Sequence, residues 1–249
     1  MERFKDRVAL VTGSSSGIGE ETARRFAAEG ATVVVNSSRS TEAGQALADE
    51  LSAHGPKASY VQCDIADPEQ CQRMINTVIH LHHRLDILVN NAGVTEVIAH
   101  HDLDAVTPDI FRRILEVNVM GTFEVTRLAM PHLKASGDGA VVNVSSVAGV
   151  RPTGSSVPYA TSKAALNHLT VLLANVCGPE VRVNAVAPGL VRTPWTKDWG
   201  PLHDMMKDRA PLGRSAEPED IASVILDVAA SRYMTGEVVL VDGGLSLRG

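Results

Sequence analysis

The apolar run Val8-Ala9-Leu10-Val11 leads into Thr12-Gly13-Ser14-Ser15-Ser16-Gly17-Ile18-Gly19, and a helical pattern follows at once. A short, unbroken β-branched run of this kind suits a strand buried on both faces. A helix directly after it makes the next strand return parallel, because antiparallel neighbours need only a tight turn. The unit then repeats. Strands are expected at residues 7–12, 32–36, 58–63, 86–89, 140–144, 182–187 and 237–241, and helices at 17–29, 41–54, 68–83, 108–135, 159–176 and 218–230. Pro68, Pro108 and Pro218 mark first helical turns. Repeated β-α-β units with right-handed crossovers predict an α/β fold: one doubly wound, seven-stranded parallel sheet with helices on both faces, in a single domain over residues 1–249. Ligands of such sheets bind at the carboxyl ends of the strands, where the winding reverses.

A chain of 249 residues buries a core large enough to need no disulfides. Cys63, Cys71 and Cys177 are an odd set without framework spacing, which points to reduced thiols and a cytoplasmic location. The first residues carry no signal-peptide pattern, and no apolar stretch approaches the roughly 20 residues of a membrane span. The net charge of −6, without a Lys/Arg cluster, argues against a nucleic-acid partner. His80, His82 and His83 do not match a tetrahedral zinc set, so no metal site is expected.

The turn from Gly13 to Gly19 has the spacing G-x-x-x-G-x-G. Glycines allow a sharp turn and close approach of the backbone to a pyrophosphate, and the following helix N-terminus offers free N–H groups to that anion. Gly13, Ser15, Ser16, Gly17, Ile18 and Gly19 are therefore candidates for holding a dinucleotide. The second strand ends in Asn36-Ser37-Ser38-Arg39, with no carboxylate to chelate an adenosine ribose. Arg39 with Ser37 and Ser38 suits a 2′-phosphate, favouring NADP(H) over NAD(H); the alternative is a solvated arginine. Asp64, beside Ile65, either accepts from an adenine amino group or caps a turn. Asn91-Ala92-Gly93 lets the chain pass close to a cofactor, and Asn91 can also hold a neighbouring strand end.

Tyr159 and Lys163 stand at i and i+4, on one helical face. A nearby ammonium stabilises a phenolate, so this tyrosine is expected to exchange a proton with a substrate oxygen near neutrality. Ser146 follows the fifth strand, where a hydroxyl can hold a carbonyl oxygen; Ser145 fits less well. Asn118 lies inside a long helical pattern, which is mildly unfavourable and asks for a reason.

T-G-x-x-x-G-I-G, N-N-A-G, the mid-helix Asn118, Ser146 thirteen residues before Tyr159, Y-x-x-x-K and Pro188-Gly189 occur in this order. Together they resemble the short-chain dehydrogenase/reductase family, over residues 5–244. The resemblance implies a Rossmann-type sheet and hydride transfer between NADP(H) and a small carbonyl or alcohol substrate. It implies Tyr159 as general acid/base, Lys163 on the nicotinamide ribose, Ser146 on the substrate oxygen and Asn118 holding a relay water. Pro188, Gly189, Leu190, Val191 and Thr193 would contact the nicotinamide. NADP-preferring relatives often carry a basic residue where Ser16 stands here, so the NADP expectation rests on Arg39 and the missing carboxylate.

The resemblance also implies a substrate lid at about residues 193–214, where Trp195, Trp199, His203, Met205 and Met206 lie among charges. Residues 94–101 and 149–158 would form the other walls. Residues 164–177 are apolar nearly all round, so this helix is expected to pack against another subunit, in a homotetramer. That helix carries no Lys or Arg, and Gly137-Asp138-Gly139 is not basic, so a free small molecule is favoured over an acyl chain on an acidic carrier. Reduction of 3-oxoacyl-carrier-protein is the alternative. A non-catalytic nucleotide-binding redox sensor is the alternative of another class.

Overall fold

In the computed structural model, which describes residues 2–248, the first strand, β1 (Val8–Val11), lies between β2 (Thr32–Ser37) and β4 (Ile87–Asn90). Outside β2 lies β3 (Ser59–Gln62). Beyond β4 follow β5 (Gly139–Val144), β6 (Val181–Pro188) and β7 (Val238–Val241). All pairings are parallel, in the order β3-β2-β1-β4-β5-β6-β7. The doubly wound, Rossmann-like sheet expected from the alternating pattern is therefore present. Winding reverses between β1 and β4, which opens a crevice beyond their carboxyl ends.

Period-2 alternation divides the strands between two cores. Ala9, Val11, Val33 and Val35 pack with Phe26, Leu47, Ile221 and Ile225, under the helices α1 (Gly17–Ala28), α2 (Thr41–His54) and α8 (Pro218–Ala230). Val8, Leu10 and Val34 face Met74, Ile75, Val125 and Leu133 on the other side. That layer is built from α3 (Pro68–His82), α5 (Thr122–Ala135) and α6 (Val157–Cys177). With both faces covered, the strands can be apolar throughout.

Three local features depart from the expected elements. The helix expected at 108–135 is α4 (Pro108–Leu115), then a π-helical turn over Glu116–Gly121, then α5. Such turns insert a residue and recur at functional sites. This one turns Asn118 inward, and at its end a Cβ on Gly121 would lie 2.5 Å from the Ile65 carbonyl oxygen. Helix α6 begins at Val157, because the Ser156 hydroxyl caps it by accepting from the Tyr159 N–H at 3.4 Å. The expected lid contains α7 (Gly200–Arg209). No helix among the described residues is long and apolar enough to cross a membrane.

Candidate active site

A cleft of about 1170 Å³ runs over the carboxyl ends of the strands. It is lined by Gly13, Ser15, Ser16, Gly17 and Ile18, by Asn36 to Arg39, by Asp64 and Ile65, and by Asn91 to Gly93. Ser146, Tyr159 and Lys163 line it as well, with Pro188 to Val191 and Thr193. Of the catalytic and cofactor-binding candidates from the sequence, Gly19 and Asn118 stand behind the wall.

At one end the backbone forms a cradle. Gly13 has φ +62°, and a Cβ there would lie 2.8 Å from the Ala92 Cα. Gly17 has φ +60° and faces Thr193. Both conformation and space demand glycine. Ser16 caps α1 without a side-chain bond, so the first-turn N–H groups remain open to an anion. Gly19 has a packing role: a Cβ there would meet the Asn91 amide at 2.5 Å and the Gly13 carbonyl oxygen at 2.6 Å. These glycines fit the pyrophosphate of a dinucleotide.

The asparagines around this cradle hold backbone. Asn36 accepts from the Gly13 N–H at 3.1 Å and donates to the carbonyls of Val61 and Cys63 at 3.0 and 3.2 Å. Asn91 donates to the carbonyls of Thr12 and Gly13 at 3.0 and 2.9 Å. Asn36 thus ties together three strand ends, and its side chain has no hydrogen left for a cofactor. Of the two readings of Asp64, the turn cap is present: Oδ1 accepts from the Ala66 N–H at 3.0 Å. The residue also faces the cleft. Arg39 is exposed at the cleft's edge, and among the described residues no carboxylate pairs with it.

At the other end, Tyr159 and Ser146 both line the cleft, and the Ser146 hydroxyl acts on the Tyr159 phenol. Ser146 also accepts from the Ala148 N–H at 3.1 Å, which orients its oxygen. Ser145 points the other way, bonded to Asn167 Oδ1 at 2.5 Å and to the Lys163 carbonyl at 3.3 Å. Lys163 is 4% exposed. Its Nζ donates to the Val144 carbonyl at 2.8 Å and lies 5.7 Å from the centre of the Tyr159 ring. An ammonium has three hydrogens, so two remain for the cleft.

The electrostatics depart from expectation. Enclosure pushes the Tyr159 phenol above its ordinary range, with the Ser146 hydroxyl opposing. Burial lowers the Lys163 ammonium to about 8. Low polarizability penalises each charge here, and the lysine does not overcome this for its neighbour in the protein alone.

Asn118 stands behind this pair. Its amide oxygen accepts from the Val94 N–H at 2.8 Å, and its nitrogen donates to the Val94 carbonyl and to Ser162 Oγ, both at 3.0 Å. Ser162 in turn donates to the Tyr159 carbonyl at 2.7 Å. The π turn, the chain after Gly93 and the first turn of α6 are thus joined through one amide. Ser162, Ser156 and Asn167 were missed from the sequence. Their signal was a small polar residue within one or two turns of Tyr159 or Lys163 on α6.

The segment expected to form the lid contributes Trp195, packed edge-on against Tyr159 with ring centres 6.3 Å apart at 80°. Trp199, Leu202, Met205 and Met206 line the same end. Opposite, Thr95 Oγ1 and Ser155 Oγ lie 2.5 Å apart and the Ile98 N–H donates to the Ser155 carbonyl at 2.8 Å, which stitches the other two walls together.

Comparison with known proteins finds relatives over most of the chain. The short chain dehydrogenase family model matches residues 7–203. A Streptomyces violaceoruber protein, named as the second ketoacyl reductase of the granaticin polyketide synthase, is 52% identical over 243 residues, covering 96% of each chain. The 3-oxoacyl-[acyl-carrier-protein] reductase of Thermotoga maritima is 37% identical, over 98% of this chain and 99% of its own. The crystal structure of a gluconate 5-dehydrogenase from Burkholderia cenocepacia, in complex with NADP and tartrate, superposes with a TM-score of 0.90 at 31% identity, over 99% of this chain and 98% of that one. The chain therefore belongs to the short-chain dehydrogenase/reductase family and is an NAD(P)-dependent oxidoreductase.

Proposed function

We propose that this enzyme reduces a ketone to a secondary alcohol with NADPH, with Tyr159 as the proton donor. The observation that carries the reading is that Tyr159, Ser146 and Lys163 come together in the wall of one cleft, with Lys163 one helical turn beyond the phenol and its ammonium on the Val144 carbonyl. When bound, a nicotinamide dinucleotide supplies the hydride. The chain's own groups supply position and the proton. A carbonyl oxygen placed between Tyr159 Oη and Ser146 Oγ accepts from both. A phenol that enclosure keeps protonated is in the right form to give its proton to the forming alkoxide. Lys163, with two hydrogens free, binds the nicotinamide ribose hydroxyls and stabilises the resulting phenolate. Asn118 sets the chain after Gly93 against α6 and holds the relay water near Lys163.

The dinucleotide is held by the Gly13–Gly19 turn, Asp64 and Ile65 at the adenine, Asn91 to Gly93 along the middle, and Pro188 to Val191 with Thr193 at the nicotinamide. Unpaired Arg39 and the absence of a carboxylate after β2 favour NADP(H). The gluconate 5-dehydrogenase solved with NADP supports this. Steady-state kinetics with NADPH and NADH test it: a lower KM for NADPH is expected, and a preference for NADH would overturn it.

The 52% identity to a protein named for ketoacyl reduction favours, as a second reading, a β-keto acyl chain as the ketone. Assaying a β-keto thioester beside simple cyclic ketones separates the two. Val171, Leu172 and Val176 of α6, with Met120 in the π turn and Phe123 of α5, are exposed apolar residues that a homotetramer would cover. Light scattering should give four times the chain mass. Three free, buried thiols accord with a reducing cytoplasm.

A further inference from the structure

We propose that His203 is a positioning residue, a latch that fixes the lid to the turn carrying Thr193. His203 lies on α7 and is only 5% exposed. Its Nε2 is 3.1 Å from the Thr196 carbonyl oxygen and its Nδ1 is 2.8 Å from Ser215 Oγ. A carbonyl only accepts, so Nε2 carries the hydrogen and Nδ1 accepts from the Ser215 hydroxyl. Ser215 is itself 2% exposed. One imidazole thus joins three separate stretches: the entry to the lid, its helix and the return before α8.

The latch reaches the cleft in one further step. The Thr196 hydroxyl donates to the Val191 carbonyl at 2.6 Å and accepts from the Thr193 N–H at 3.2 Å. Thr193 faces the cleft and packs on Gly17, and Trp195, between the two threonines, packs on Tyr159. The far half of the lid has other anchors, namely buried Met206 and Ala210 and the Leu212 N–H on the Gly243 carbonyl at 3.1 Å. The near half, which carries Thr193 and Trp195, is tied to the lid helix by His203. An apolar residue at 203 would leave the buried Ser215 hydroxyl without its acceptor and remove one of the two donors to the Thr196 carbonyl; the other is the Trp199 N–H at 3.0 Å.

This inference rests on Thr193 as a nicotinamide contact, and its test is chosen to fail separately from that reading. In the full-length enzyme, His203→Leu should raise the KM for both NADPH and ketone, lowering kcat/KM by about tenfold while kcat changes by less than about threefold. Without ligand, trypsin should cut faster at the exposed Lys197 of the near half, and NADPH should restore protection. His203→Gln, which keeps a donor and an acceptor, should recover most of both effects. Ser215→Ala removes the other half of the latch and gives the same signs should His203→Leu fail to fold. Proteolysis and KM values equal to wild type in both variants would overturn the proposal, as would a fall confined to kcat. If wild type reduces no ketone, the proteolysis arm still decides the latch, and only the assigned reaction falls.

Discussion

At the glycine-turn end of the cleft, Asn36 and Asn91 give all their amide hydrogens to backbone carbonyls at the end of β3 and in the turn after β1. At the chemical end, Lys163 gives only one hydrogen to the Val144 carbonyl, and the Tyr159 phenol meets Ser146. The two asparagines of the first end are uncharged and give up every amide hydrogen to the backbone. The second holds two titratable groups that burial drives toward their neutral forms. Satisfied neutral groups make a rigid floor, whereas enclosed ionisable groups with spare bonds retain capacity for chemistry. Damage at one end should therefore appear as lost stability, and at the other as lost rate.

The largest expected effect tests the chemical end. Tyr159→Phe should lower turnover by about a thousandfold or more while NADPH affinity and melting temperature stay near wild type. Turnover within tenfold of wild type would place the proton elsewhere. Next comes the depressed ammonium of Lys163. Its folded pKa of about 8 lies below the ordinary 10.5, so in that window the unfolded chain binds the proton and the folded chain does not. Stability from this group therefore rises with pH from about 8 to 10.5, and the penalty is complete below 8. Urea unfolding of wild type against Lys163→Met across this range should show a relative gain of up to about 3 kcal/mol at the alkaline end. A difference independent of pH would mean that the ammonium is well solvated.

At the glycine-turn end, Asn36→Ala removes the acceptor of the Gly13 N–H and the two donors that tie the turn to the end of β3. A loss of about 2 kcal/mol is expected, read as a melting temperature lower by roughly 4–8 °C, with kcat at saturating NADPH nearly unchanged. A large fall in kcat with unchanged melting would erase the contrast between the two ends. The smallest effect belongs to Arg39. Arg39→Ala should raise the KM for NADPH by about tenfold and leave that for NADH alone. Equal changes for both cofactors would leave Arg39 as a solvated side chain.

Much of this was legible in the chain itself. The strand runs from Val8 and from Thr32, and the prolines at 68, 108 and 218, placed elements to within one or two residues, because period, length and capping are local properties. Ser146 was preferred to Ser145 by spacing, and the structure turns Ser145 away into α6. The oddity of Asn118 was visible too, as a polar residue inside an apolar helical pattern. The π turn that accounts for its inward position was not, since an extra residue in a helix leaves no mark in a 3.6-residue period. The expected direction of the Tyr159 shift was reversed for a similar reason: i and i+4 spacing reports a shared face but not how deeply that face is enclosed.

By itself, then, the amino-acid order determined the alternation of strand and helix, the glycine turn, and which residue types could carry chemistry, since each depends on neighbours a few positions away. Only the tertiary structure decided that Asn36 serves the backbone, that Lys163 is starved of water, and that His203 bridges two loops. Burial and hydrogen-bond partners come from segments distant in sequence, and those exist only once the sheet and its two helical layers have closed around them.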